Sequence, residues 1–396
     1  MQGAFRVNIL RRSYLLTGVL LFLNNLNAQA GVGEDTVREI ESYYDSQVEY
    51  CNTPYRPAYL CSGLMIRGTS TSGKFLPWQP SPGTLARGGV PFSYLRSDTK
   101  FGLAWGIKGL ILAPTDYKKF GMSDLPEVLC SFPLDANTAM RTDKGCGDNV
   151  DTPVEEKSCE SFGITTAEQW VSHFGDVNKD ETRQCGFRQV GAQTYQSASH
   201  FYASVKAKSL IRDGFFNRHN EVLLGTWSDA ENLPILAFYY VDGPNQNSGL
   251  AAAQTDQWNW VVNAGHTFTP IVKVTLPDGP QKEARFTFDP QDQATCSQYF
   301  SNVRWVFKDN GWSLAVTPSS CATNLTNQEY KSAAIELLRQ YRDSVRFNQQ
   351  PYGESLAAQI KCLSPYFKSP REFFLEPWRT TKGMTDEQIA AVGCNP

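Results

Sequence analysis

Three residues in this chain are of types that could cut a glycosidic bond. Arg67 closes the apolar run Leu64-Met65-Ile66-Arg67, Ser93 lies inside Pro91-Phe92-Ser93-Tyr94-Leu95, and Glu221 opens Glu221-Val222-Leu223-Leu224-Gly225. Such a bond breaks through an oxocarbenium-like transition state, so a carboxylate beside the ribose is worth more there than in the ground state. Glu221 is the candidate for that carboxylate, and Glu127, heading the similar Pro126-Glu127-Val128-Leu129, is the alternative. An arginine offers phosphate and ribose oxygens a fixed fork of donors that stays charged, which suits Arg67. Ser93 offers a hydroxyl that could hold the glutamate. An unperturbed histidine titrates near neutrality, so His219 could serve as a base. Trp78 and Phe75 could stack on a flat ring, although such side chains more often fill cores. Each role has a plain rival: an ion-paired arginine, an ordinary strand serine, a solvated carboxylate, a surface histidine.

The elements that must position these residues are mixed. Strand-like runs occupy residues 59–67, 90–95, 127–134, 221–227 and 233–241, rich in β-branched or aromatic residues and bounded by Gly, Pro or Asp. Helix-like runs occupy 34–50, 166–174 and 197–217, with Thr165 as a cap over Glu168 at the third helical position of the second. Breaks cluster at 243–249 and 277–295, enclosing a helix-like stretch at 250–262 and a strand at 269–276. Further on, Val303-Arg304-Trp305 and Gly311-Trp312-Ser313-Leu314 suggest a hairpin, followed by a helix at 327–346. No glycine-rich phosphate loop follows a strand, so neither a Rossmann nor a P-loop pattern is present. The expected class is α+β and mostly antiparallel.

Arg6, Arg11 and Arg12 precede a short apolar run from Tyr14 to Leu23 that ends in Ala28-Gln29-Ala30, the pattern of a signal peptide over 1–30 cleaved near Ala30. The expected location is therefore secreted or periplasmic. Lys and Arg number 37 against 40 Asp and Glu, and loss of three leader arginines takes 37 − 40 = −3 to 34 − 40 = −6. That acidic balance argues against nucleic acid as a partner. No stretch approaches the roughly 20 apolar residues of a membrane span. All ten cysteines follow the leader, an even count that argues for disulfides. Pairing of near neighbours gives Cys51–Cys61, Cys130–Cys146, Cys159–Cys185, Cys296–Cys321 and Cys362–Cys394. The four histidines fall neither at i, i+4 nor near a cysteine pair, so no metal site is expected. The remaining 396 − 30 = 366 residues exceed one comfortable core. Domains are expected over 31–290, with a cysteine-dotted insertion at 144–195, and over 291–396.

The order of these residues resembles the ADP-ribosyltransferase-like toxins of the cholera toxin class. Leu64-Met65-Ile66-Arg67-Gly68 looks like their first strand, Phe92-Ser93-Tyr94-Leu95 like their second, and Asn220-Glu221-Val222-Leu223-Leu224-Gly225 like their catalytic strand. More closely, Arg67-Gly68-Thr69, Gly88-Gly89-Val90-Pro91-Phe92-Ser93-Tyr94-Leu95-Arg96 and Glu127-Val128-Leu129-Cys130 resemble halovibrin-type secreted proteins of Gram-negative bacteria. The resemblance spans most of residues 50–276. It implies an ADP-ribosyltransferase-like antiparallel two-sheet core with helices, a disulfide-stapled insertion, and a smaller α+β C-terminal domain. It also implies NAD as substrate with no permanently bound cofactor, catalytic roles for Glu221 and Ser93, and NAD binding by Arg67, Gly68 and Thr69; the residues themselves add His219 as a catalytic base and Trp78 as a ring that could stack on NAD. Arginine-directed transferases carry a Glu two residues before the catalytic one, and others a Gln. Here that place is taken by His219, which favours water over a protein as acceptor. A transferase acting on a host or competitor protein is the first alternative. The second is a non-catalytic carbohydrate- or cell-surface-binding protein, suggested by Trp258 and Trp260. The end of the chain, with Gly-Trp-Ser-Leu, Leu-Glu-Pro-Trp-Arg and a terminal Cys-Asn-Pro, resembles a C-terminal domain of bacterial secreted proteins that implies no activity.

Overall fold

The computed structural model describes residues 33–52, 58–70, 76–82, 84, 89–114, 128–136, 146, 158–176, 184–188, 195–207, 218–225, 233–264, 266, 269–289, 299–309, 311–325, 329–341, 344, 346, 352–369 and 371–395. The leader, Phe75, Glu127 and Cys296 lie outside the described residues. Nine strands form one sheet: β1 (Leu64–Gly68), β2 (Gly89–Leu95), β3 (Lys108–Leu112), β4 (Val128–Phe132), β5 (Phe187–Arg188), β6 (Glu221–Gly225), β7 (Ile235–Val241), β8 (Ile271–Thr275) and β9 (Arg285–Thr287). Their order is β5-β4-β6-β2-β1-β3-β7-β8-β9. Every neighbour is antiparallel except β7 and β8, which run parallel across the helix Gln246–Trp258. A parallel pair needs a crossover of this kind, whereas antiparallel pairs do not.

The central strands are apolar on consecutive residues because both faces of the sheet are covered. On one face Met65, Phe92, Leu110, Val222 and Phe238 pack with Phe201 and Val205 of the helix Tyr195–Ala207 and with Trp258. On the other, Leu64, Ile66, Ile111, Tyr239 and Val272 pack on Ile40 and Tyr44 of the helix at 33–45. We call these the first and second faces. The C-terminal part is a three-stranded sheet, with β10 (Phe300–Lys308), β11 (Gly311–Pro318) and β12 (Phe373–Leu375) in that order. Its helices Glu329–Tyr341 and Tyr352–Leu363 contribute Leu337 and Ile360 to the same continuous cluster as the first face.

The α+β class and antiparallel dominance are as expected. Instead of two separate sheets, one sheet runs through, because β2 has a partner on each edge. The break at 243–249 opens the crossover helix, and the one at 277–295 contains β9. β3, one of the central strands, is an addition to the expected set. Its five residues begin Lys108-Gly109 and follow a tight turn at Gly106 (φ +80°), so no apolar alternation announces it. The cap at the second helix is Thr166, not Thr165. Thr166 Oγ1 accepts from Gln169 N (3.2 Å) while Gln169 Oε1 accepts from Thr166 N (3.1 Å), a capping box one residue on.

Disulfides join Cys51 to Cys61, Cys130 to Cys146, Cys159 to Cys185 and Cys362 to Cys394, the expected local pairs. Bonds of this kind fit a chain matured in an oxidising compartment. The Cys296–Cys321 expectation falls outside the described residues. Among those residues, no helix is long and apolar enough to cross a membrane.

Candidate functional site

At Ser93, β2 changes partner. Residues Ser93 to Leu95 pair with β1, with Ile66 opposite Ser93, whereas Gly89 to Phe92 pair with β6, with Val222 opposite Phe92. Beyond Ile66, β1 keeps its ladder only with β3, where Arg67 faces Leu110 and Gly68 faces Gly109. The parting begins beside Pro91, which has no N–H to donate and is solvent-exposed in mid-strand. Proline at this position removes the ladder donor where a neighbouring strand has left. One step along the β2–β6 register sets Glu221 opposite Ser93. Cross-strand neighbours of that kind bring Cβ atoms to about 5 Å, so hydroxyl and carboxylate share the second face.

The start of β6 is held from both sides. Asn220, fully buried, inserts its amide into the ladder: Oδ1 accepts from Tyr94 N (2.7 Å) and Nδ2 donates to Tyr94 O (2.8 Å). On the other side, the turn after β4 clasps the strand through two consecutive residues. Ala136 N donates to Glu221 Oε2 (3.1 Å), Asp135 N donates to His219 O (2.8 Å), and the Asp135 carboxylate stands 3.5 Å from His219 Nε2. Glu221 is 3% exposed and Ser93 8%. A carboxylate on one imidazole nitrogen orients the ring, the arrangement a base needs. Asp135 is not among the site residues expected from sequence, and its one signal there is an Asp at the end of a strand.

The cysteine-stapled insertion supports that turn. Gln184, fully buried, donates to Leu134 O (3.3 Å) and Asp135 O (3.2 Å), and its neighbour Cys185 is bonded to Cys159 and accepts from Trp170 Nε1 (3.1 Å). The bridge closes a separation of 26 residues, for which chain entropy predicts about 3.5 kcal/mol. Replacing both cysteines by serine is expected to lower unfolding free energy by about that amount, measured in urea. A loss below about 1 kcal/mol would show that the insertion does not brace the turn.

Residues assigned to NAD binding are distributed otherwise. Arg67 alternates onto the first face, its guanidinium 6.0 Å from the Phe92 ring centroid. Ser93, Glu221 and His219 therefore come together, and Arg67 does not join them. Trp78 is 2% exposed and packs edge-on against Trp260 (4.9 Å) and Phe238 (6.1 Å), so it is a core residue and not a stacking platform. Gly68 lacks a side chain for a local reason: a Cβ there would lie 1.5 Å from the Trp105 carbonyl oxygen. Trp258 and Trp260 are buried as well, Trp260 donating to Thr269 Oγ1 (3.0 Å) and stacked on His266, so they form no sugar-binding surface.

Two cations on the first face, Lys108 buried and Arg67 half-buried, differ. Lys108 is paired with Asp256 of the crossover helix at 2.5 Å, and burial outweighs the lysine to push that carboxyl up to about 6. Arg67 has only burial acting on it, which lowers its pKa to about 10 and leaves it charged at neutral pH. No group of His, Cys, Asp and Glu that could hold a metal ion occurs among the described residues. Comparison of the chain with protein-family models, with curated proteins and with solved structures finds no match.

Proposed function

We propose that this protein is a secreted NAD glycohydrolase of ADP-ribosyltransferase-like fold, hydrolysing the nicotinamide-ribose bond at the Ser93–Glu221 pair. The observation that carries the reading is the change of partner at Ser93, which sets a hydroxyl and a carboxylate side by side where β1 parts from β2. In this reading Glu221 stabilises the ribosyl cation as nicotinamide departs, and Ser93 holds the carboxylate. Nicotinamide leaves neutral, so no general acid is needed. His219, oriented by Asp135, takes the proton of the attacking water. Water is favoured as acceptor because His219 stands where a transferase has its acceptor-orienting Glu or Gln. Arg67 and Thr69 have no part in this chemistry, since they belong to the other face.

Incubation of the purified protein with labelled NAD and host lysate separates the two acceptors. Free ADP-ribose and nicotinamide in equal amounts, with no labelled protein band, is the expected result. A labelled band would establish transfer to protein, and unchanged NAD would reject the glycosidic chemistry altogether.

A further inference from the structure

The crossover helix Gln246–Trp258 is seated over β3 and β7, so close at Gly249 that a Cβ there would stand 2.8 Å from Ile107 O and 3.3 Å from Tyr240 Cβ. Toward β8 and β9 a cavity of about 420 Å³ opens between this helix and the sheet, within the roughly 300–1,000 Å³ of small-molecule sites. Its floor is one cross-strand row: Tyr240 of β7 pairs with Lys273 of β8, which pairs with Thr287 of β9. The row belongs to the first face, because Tyr240 packs in that face's core and side chains directly opposite across strands share a face. Leu250 of the helix lies across the cavity from it.

The same row continues through Lys108 of β3 on the other side of Tyr240, so it carries two lysines. Lys108 is met from the helix by Asp256, the helix's one acid. On the cavity side the helix offers the amides of Gln246 and Asn247 instead, and half-buried Lys273 makes no ion pair or side-chain hydrogen bond among the described residues. The cavity has an acid of its own, Asp289, which follows β9 and does not pair with Lys273. One cavity therefore holds an ammonium and a carboxylate, kept beyond ion-pair distance of each other. Opposite charges set apart across a space of this size match a molecule that carries both.

We propose that this cavity binds a small zwitterion of the amino-acid type, with its carboxylate on Lys273, its ammonium on Asp289 and its apolar side chain against Tyr240 and Leu250. Each charged end gains a charge-assisted hydrogen bond, and the Thr287 hydroxyl, beside Lys273 in the row, is a further donor to the carboxylate. An acid without an amine forgoes the second of these bonds and sits in the field of Asp289, so the site discriminates against simple carboxylates and phosphates alike. It is separate from the Ser93–Glu221 pair, which lies on the second face and four strand spacings away, about 19 Å from β2 to β8.

The test is calorimetric titration of L-leucine into the full chain at pH 7 and low ionic strength, beside two analogues that each lack one charged end. These are 4-methylpentanoate, without the amine, and 3-methylbutylamine, without the carboxylate. Wild type is expected to bind leucine and to bind either analogue at least about tenfold more weakly, the loss of one charge-assisted hydrogen bond. Lys273→Met is expected to lose affinity for leucine by about tenfold or more while its affinity for 3-methylbutylamine does not fall. Asp289→Asn, at an exposed position, is expected to lose about threefold or more for leucine and nothing for 4-methylpentanoate. Thr287→Trp, also exposed, keeps both charges, fills the floor of the cavity and is expected to abolish binding. Absence of leucine binding by wild type, 4-methylpentanoate bound as tightly as leucine, or undiminished leucine binding by Lys273→Met would each overturn the proposal. Should Lys273→Met fail to fold, Thr287→Trp and Asp289→Asn carry the comparison, and undiminished binding by either overturns it. No arm uses NAD, so the outcome is independent of the glycohydrolase reading.

Discussion

On the proposed glycohydrolase reading, Glu221→Gln is expected to lower the rate of NAD consumption by at least about a hundredfold while leaving the fold in place. Glutamine keeps the shape of the side chain and an oxygen able to accept from Ala136 N, so the clasp on β6 survives. What it removes is the negative charge. A fixed charge facing a developing cation, in a site only 3% exposed, acts without reorganisation and with little screening by water. The loss falls on kcat at saturating NAD, because a neutral ground-state ribose gains little from the carboxylate. The measurement pairs initial rates with urea unfolding of both proteins. Equal rates would remove Glu221 from the chemistry, and a rate loss matched by a large stability loss would reassign it to the clasp.

The parts of this arrangement visible in the sequence are those set by near neighbours. Glu221-Val222-Leu223-Leu224 is a strand by composition, and Cys51–Cys61, Cys130–Cys146, Cys159–Cys185 and Cys362–Cys394 pair in chain order, each closing a short loop. Which face a strand residue uses depends on register across partners distant in the chain. Arg67 and Ser93 each look like a site residue in isolation, but β1 and β2 pair Ile66, not Arg67, with Ser93. A shift of one residue in that pairing exchanges the two faces, and nothing local to either strand fixes it. Trp78 is similar: its burial follows from meeting Phe238 and Trp260, more than 150 residues away in sequence. β3 was hidden for a further reason. Lys108 and Gly109 are poor strand formers, and they are accepted there because Tyr239 lies over the glycine while Asp256 neutralises the lysine.

That last pair gives the largest stability effect expected in the molecule. Lys108→Met leaves the Asp256 carboxylate buried without its partner, and removing one member of such a pair costs about 3–5 kcal/mol, a large part of the 5–15 kcal/mol that holds a typical domain. The loss depends on pH in a direction set by Asp256. Its folded pKa of about 6 lies above the unfolded value of 3.8, so between these pH values the folded state binds more protons than the unfolded one. Stability from this group is therefore full below the unfolded pKa, declines as pH rises toward 6, and is level above that. Without Lys108 the only downward influence on the carboxyl is gone, its folded pKa climbs further, and the decline extends to higher pH. Urea unfolding at pH 5 and pH 8 is expected to show a wider gap between wild type and Lys108→Met at the higher pH. Adding Asp256→Leu to that variant removes the stranded charge, restores stability to within about 1–2 kcal/mol of wild type, and abolishes the pH dependence of the gap. A double variant no more stable than Lys108→Met alone would mean that the lysine stem, packed between β3 and the crossover helix, contributes more than its charge.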